Sequence, residues 1–179
     1  MALSPPSEAN WVSGVTASAA FINAQVRDAI NFLANPPICA CYQTTAQTSI
    51  AANTWTPITY TVNKVDTYSG HSTTTNTSRY VAQVPGWYKV SGLIDMVSTG
   101  NVLSFAIAKN GAIELGTIGT AYGLNGNVVS GDLPDQNVFL NTGDYVELWA
   151  QNAATWSTFV GAIGGTNAAS RLDVEWDHV

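Results

Sequence analysis

Twelve acidic and six basic side chains in 179 residues give a net charge of −6. The bases Arg27, Lys64, Arg79, Lys89, Lys109 and Arg171 stand singly, which excludes the clustered basic footprint that wrapping DNA or RNA requires. Charged residues are only 10% of the chain, against about 25% in an ordinary soluble domain; Thr, Ser, Asn, Gln and Gly carry the polar surface, and a surface of that kind suits a partner. No run approaches the roughly 18 apolar residues of a membrane span. The opening MALSPPSEAN lacks the basic and then apolar pattern of a secretory signal, so synthesis in a cytoplasm is expected, with any release by another route. The length accommodates one domain with a sizeable core and a short appendage.

Thr16 or Ser18 can cap a helix in which Phe21, Ile22, Val26, Ile30 and Leu33 recur at three- and four-residue spacing until Pro36-Pro37 ends it. That predicts about four turns, roughly 25 Å. Arg27 and Asp28 are its only charges, and an isolated helix of this length is marginal in water, so the stripe needs a surface. Its own domain, copies of itself and a larger assembly are the three candidates. The chain divides at the proline pair into a helical attachment segment, 1–37, and a β domain, 38–179. The stretch NWVSGVTASAAFINAQVRDAINFLANPP resembles an N-terminal segment of structural proteins in tailed bacteriophages of actinobacteria, through Trp11, Asn23, Arg27-Asp28, Phe32-Leu33 and Pro36-Pro37. The resemblance implies a mount that fixes a displayed domain to a virion. Trp11, Phe21, Ile22, Val26, Ile30 and Leu33 would make the contact, and Arg27 and Asp28 would set its register.

After Pro37 short alternating runs divided by Gly, Asn, Asp, Ser and Pro predict strands near 38–45, 54–62, 79–84, 86–97, 102–109, 112–119, 126–132, 136–141, 145–151, 156–163 and 171–177. That number implies a sandwich. Cys39 and Cys41 fall on one face of the first strand, where a bridge would be strained and two buried thiols are the simpler state. The polar loop from Tyr68 to Ser78, YSGHSTTTNTS, lies at one end of the sandwich as a connector or as a ligand loop carrying Tyr68 and His71. Asn110-Gly111 between apolar runs is the strongest hairpin signal. Asp132 and Asp135 read as caps of a turn around Pro134.

The stretch PDQNVFLNTGDYVELWAQ alternates through Val138 and Leu140, stops at Thr142-Gly143-Asp144 and restarts with Tyr145, Glu147 and Trp149 against Val146, Leu148 and Ala150, which reads as a hairpin. SRYVAQVPGWYKVSGLIDM, FAIAKNGAIE, VFLNTGDYVELWAQ and STFVGAIGG, in that order, resemble the jelly rolls of complement globular heads and tumour-necrosis-factor-like trimers. The resemblance implies a mainly β fold, an antiparallel jelly-roll sandwich with one N-terminal α-helix, assembled as a homotrimer. Six Trp and seven Tyr are more than one sandwich readily buries, and such residues favour interfaces; Tyr145 and Trp149, which share a face, are the candidates for the trimer contact. In the final strand Leu172, Val174 and Trp176 face one way and Asp173, Glu175 and Asp177 the other. The three carboxylates are either a solvated face guarding an edge strand or a gathering of ligands for a hard cation.

Two histidines, no Gly-x-Ser-x-Gly elbow, no His-Glu-x-x-His and no phosphate loop leave little for catalysis. Neither a catalytic residue, a resident metal nor a cofactor is expected. The reading that unites these features is a non-enzymatic virion structural protein, a trimeric jelly roll at the particle surface bound to phage capsid or tail proteins. A domain about 40 Å across suits head decoration or cement, with a minor tail protein as the neighbouring assignment. Binding of host-surface glycans through the Tyr68–Ser78 loop is the reading from a different class.

Overall fold

The computed structural model describes Gly14, Thr16, residues 18–163 and residues 166–179. The N-terminal helix starts where the Ile22 amide donates to the Ser18 carbonyl. It runs through Ala19–Ile22, a π turn at Asn23–Arg27 and Asp28–Ala34. It stops at Asn35, whose φ of −143° leaves the helical region, because the prolines that follow disfavour a helical residue before them.

Two antiparallel sheets form the body. The first has the order β3 (Val62–Asp66), β1 (Ile38–Tyr42), β13 (Arg171–His178), β5 (Gly86–Val97), β9 (Val128–Leu140). The second has β10 (Tyr145–Asn152) beside β6 (Val102–Lys109). β2 (Thr56–Pro57) and β4 (Arg79–Val81) pair with β10, and β7 (Ala112–Ile113) and β8 (Gly119–Tyr122) pair with β6. A separate hairpin joins β11 (Val160–Ile163) to β12 (Thr166–Ala169). Alternation puts Cys39, Cys41, Val90, Ile94, Val138, Leu172 and Val174 of one sheet against Leu103, Phe105, Ile107, Val146 and Leu148 of the other, all buried. Fully burying one such aliphatic or aromatic side chain contributes about 1.5–3 kcal/mol. This is an antiparallel jelly-roll sandwich with a helical leader.

Four readings of the sequence need correction. The 134–151 segment is strand, turn and strand, but β9 and β10 belong to different sheets, so it is a corner between layers and not a hairpin. Gly143 and Asp144 turn there by exchanging backbone hydrogen bonds with Ala82. Pro134 does not break the chain. It lies within β9 at a register shift opposite Val90 and Gly92, on an edge strand where a missing N–H is tolerated, and Asp132 and Asp135 therefore cap no turn. The final strand is not an edge; β13 pairs with β1 on one side and β5 on the other. The run expected at 112–119 is strand only at Ala112–Ile113, and pairing resumes at Gly119–Tyr122.

The Asn110-Gly111 hairpin is present, with φ of 50° and 81° at the two turn residues, the combination a tight β turn of this type requires. Cys39 and Cys41 are buried, free thiols facing the core. A hydrogen bond with Cys39, then burial, pushes the Cys41 thiol far above its ordinary range, which keeps it protonated and unreactive.

Candidate subunit interface

The outward face of the five-stranded sheet is built by the residues between the core positions. β1 supplies Ile38, Ala40 and Tyr42, β5 supplies Leu93 and β13 supplies Arg171 and Asp173, none of them buried. The β11–β12 hairpin folds over this face and encloses an open groove of about 740 Å³, walled by Ala40, Tyr42, Leu93 and Ser130 on the sheet and by Val160 and Ala168 on the hairpin. Asp95 roots the hairpin: its carbonyl accepts from the Phe159 amide at 2.7 Å, its amide donates to Ser170 Oγ at 3.1 Å, and its carboxylate accepts from Ser130 Oγ. Desolvation raises the Asp173 carboxyl above the usual carboxylate value, with Arg171 and Lys64 opposing the shift. Arg171 Nε lies 3.2 Å from Asp173 Oδ2, and Gln43, Lys64 and Asp95 also line the groove, so its wall mixes apolar and charged side chains.

A second surface lies along β8. Phe105, 3% exposed, fills the space beside Gly119 of β8 and Gly131 of β9, where an added Cβ would lie 2.4 Å from its ring in either case. With that gap closed, the flanking apolar side chains point outward: Ile118 is 59% exposed, Tyr122 65% and Leu124 68%. Both surfaces stand at the same end of the sandwich. The hairpin root contacts β5 near Val97, and Ser98, just beyond Val97, donates to the Gly123 carbonyl at 2.6 Å. The groove and the apolar edge are thus two different patches of one chain, which is the arrangement a head-to-tail, ring-forming contact uses.

Solved structures with this architecture come from distant sequences. The globular domain of zebrafish complement 1qA aligns with a TM-score of 0.54 at 10% identity, over 78% of this chain and 96% of that one. The fold is that of the complement and tumour-necrosis-factor-like jelly rolls. Murine APRIL gives a TM-score of 0.54 at 8% identity over 78% and 98% of the two chains. Eiger TNF from S. frugiperda gives 0.51 at 17% identity over 78% and 92%. No protein-family model matches the sequence, and no curated protein does.

Tyr145 and Trp149 share the outward face of the second sheet and are half-buried. The Arg79 guanidinium sits 4.0 Å over the Tyr145 ring. Trp149 Nε1 donates to Glu147 Oε2 at 2.9 Å, and the other oxygen of Glu147 accepts from Ser78 Oγ at 2.7 Å and Arg79 Nε at 3.0 Å. Glu147 is only 2% exposed. Such burial is tolerable because every oxygen is matched.

On the helix, Ile22 (43%), Val26 (41%), Ile30 (59%) and Leu33 (64%) are exposed as a stripe. Arg27 and Asp28 pair with each other at 2.8 Å. The docking residue is Phe32, outside that stripe: 1% exposed, it meets the edge of Trp176 at 4.8 Å and of Tyr68 at 6.3 Å between ring centroids. Trp11 and the side chain of Phe21 lie outside the described residues. Tyr68 is half-buried against Phe32, and His71 is buried with both ring nitrogens engaged.

Among the described residues no group of three metal-binding side chains assembles. Two of the three carboxylates of β13 go to separate partners, Asp173 to Arg171 and Asp177 to Lys89 at 2.9 Å. Asp177 is accordingly held below the usual carboxylate value, by Lys89 and then His178. Sequence reasoning missed Phe32, the groove and the 118–124 edge; for the edge, the isolated Ile118, Tyr122 and Leu124 in a glycine-rich stretch were the available signal.

Proposed function

We propose that this protein is a non-enzymatic assembly module, a homotrimer of jelly rolls in which the Ile118–Leu124 edge of one chain seats in the groove beneath the β11–β12 hairpin of the next. The observation that carries this reading is the pairing, on one chain and at one end of the sandwich, of an exposed apolar edge with a groove partly walled by Ala40, Tyr42, Leu93, Val160 and Ala168. Two unlike patches that close in a ring bury both and leave no free edge. Tyr145 and Trp149 are the second candidate contact, with part of their surface open, the Trp149 indole N–H matched by Glu147 and the Tyr145 ring covered by Arg79.

The trimer would decorate the head of a phage particle, with residues 1–37 as its mount. Two observations support that placement: the resemblance of Asn10–Pro37 to segments that carry displayed domains, and the apolar stripe of Ile22, Val26, Ile30 and Leu33 left open on a nearly uncharged helix. Three such mounts joined by one trimer act as a multivalent clamp, so modest contacts per chain add to firm attachment.

The rival reading, glycan capture, rests on a polar recess of about 270 Å³ lined by Ser69, Ser72, Thr75, Asn76, Arg79 and Gln83. Replacing Tyr122 and Leu124 together with Glu tests the assembly. The expected result is a folded single chain with unchanged far-UV circular dichroism; a double variant that sediments like the parent would refute the edge-in-groove contact. Particles that keep their resistance to heat and chelators when the protein is missing would refute decoration, and binding to a glycan array that disappears in Arg79→Ala would favour the rival.

A further inference from the structure

His71 is 5% exposed and begins the turn that carries the 68–78 loop. Its Nδ1 lies 2.6 Å from Asn63 Oδ1, and its Nε2 lies 3.0 Å from the Thr77 carbonyl oxygen. The Asn63 amide is oriented by its other end: Nδ2 donates to Asp66 Oδ2 at 3.4 Å and to the His71 carbonyl at 3.3 Å. Turned over, it would set its oxygen against a carboxylate and a carbonyl. Asn63 therefore offers His71 an acceptor, and a backbone carbonyl offers nothing else. A neutral imidazole has one N–H and cannot satisfy both; only the imidazolium has two.

The surroundings suit a cation. From β3, Asp66 receives the Gly70 and His71 backbone amides, each at 2.9 Å, which sets a carboxylate against the His71 backbone. The Tyr60 ring meets the imidazole edge at 6.1 Å, and Tyr80 of β4 forms a backbone bridge to His71. Both phenols are pushed up by burial and stay neutral. Arg79, the charge on β4, is turned to Glu147 at 3.0 Å.

We propose that the 68–78 loop carries a proton-operated latch. The protonated His71 ring bolts the returning end of the loop, at Thr77, to Asn63 of β3. Removal of one ring proton puts a lone pair against an oxygen and frees the loop. Ser69, Ser72, Thr75 and Asn76, which line the polar recess, are held in place while the latch is closed. The latch is independent of the trimer.

Hydrogen exchange of amides 70–78 in the full-length protein, corrected for the intrinsic pH dependence of exchange and paired with ¹⁵N shifts of the imidazole, tests this. At pH 5.5 both ring nitrogens carry protons and the loop is protected. At pH 8.5 loop protection falls roughly tenfold or more, the worth of a hydrogen bond to a charged group, while β5 and β13 amides stay unchanged. His71→Gln abolishes the pH dependence, and Asn63→Asp, which adds a carboxylate, moves it to higher pH. A bare ring nitrogen at pH 5.5, equal protection at both pH values, or the same pH dependence in His71→Gln overturns the proposal. If His71→Gln does not fold, an unshifted transition in Asn63→Asp overturns it.

Discussion

Phe32→Ala is expected to undock the N-terminal helix while leaving the sandwich folded. Phe32 is the buried side chain of Asp28–Ala34, and it lies edge-on to Trp176 with centroids 4.8 Å apart. Truncating a buried Phe to Ala costs about 3–5 kcal/mol, which corresponds to a shift of roughly a hundredfold or more in a docking equilibrium. The helix has little of its own to oppose that loss: helices of this length are marginal in water, and its exposed apolar side chains gain nothing in the free chain. Trp176 keeps its strand position, since its amide donates to the Pro37 carbonyl and its indole Nε1 to the Pro85 carbonyl. Hydrogen exchange read by mass spectrometry checks this directly. Amides of residues 22–34 lose protection in Phe32→Ala, those of β5 and β13 keep theirs, and Leu33→Ala, at a position 64% exposed, behaves like the parent. Protection of 22–34 within threefold of the parent in Phe32→Ala, or equal loss in Leu33→Ala, would refute the docking argument.

The turn at Asn141–Tyr145 gives a pH prediction. Hydrogen bonds from Asn110 and the Asn141 amide, with Lys109 nearby, lower the Asp144 carboxyl to about 2. Because the folded value is depressed, its stabilising contribution is complete above the ordinary carboxylate value of about 4 and disappears as pH falls towards 2. Urea midpoints should therefore favour the parent over Asp144→Asn at pH 5 and converge near pH 2; a constant difference would refute it. Gly131→Ala drives a Cβ to 2.4 Å from Phe105 Cε1, an overpacking cost of about 1–3 kcal/mol. Phe105→Leu in the same chain should recover part of that loss in a calorimetric melt, and strict additivity of the two changes would count against the contact. Glu147→Gln leaves Arg79 without its charged partner and costs about 1.5–3 kcal/mol, read as a lower denaturant midpoint with an unchanged slope; no change would mean that the buried carboxylate is structurally idle.

Local signals were legible in the sequence where one residue type has one conformational use. Asn110-Gly111 marked its hairpin because both positions take positive φ, and the prolines marked the end of the helix. Period-two alternation correctly divided β13 into faces: Leu172, Val174 and Trp176 are buried, and Asp173, Glu175 and Asp177 are not. Alternation does not say which strand is the partner. Val138 and Leu140 share a core with Val146 and Leu148 from opposite layers, and a hairpin would give the same pattern. For the same reason β13 read as an edge, since carboxylates on its outward face are compatible with a central strand whose outer surface is wet. Phe32 was hidden because a three- and four-residue spacing identifies a stripe without saying whether it or its neighbour docks. The groove was hidden because it depends on a hairpin folding back over a sheet far away in sequence, rooted by Asp95, Phe159 and Ser170.

The edge-in-groove assembly is tested most directly by the mass of the intact protein at sedimentation equilibrium, over a concentration series reaching well below micromolar. The account predicts a single species of about 57 kDa, three times the 18.9 kDa chain, as expected of a closed three-fold ring. A species of 18.9 kDa throughout would contradict it.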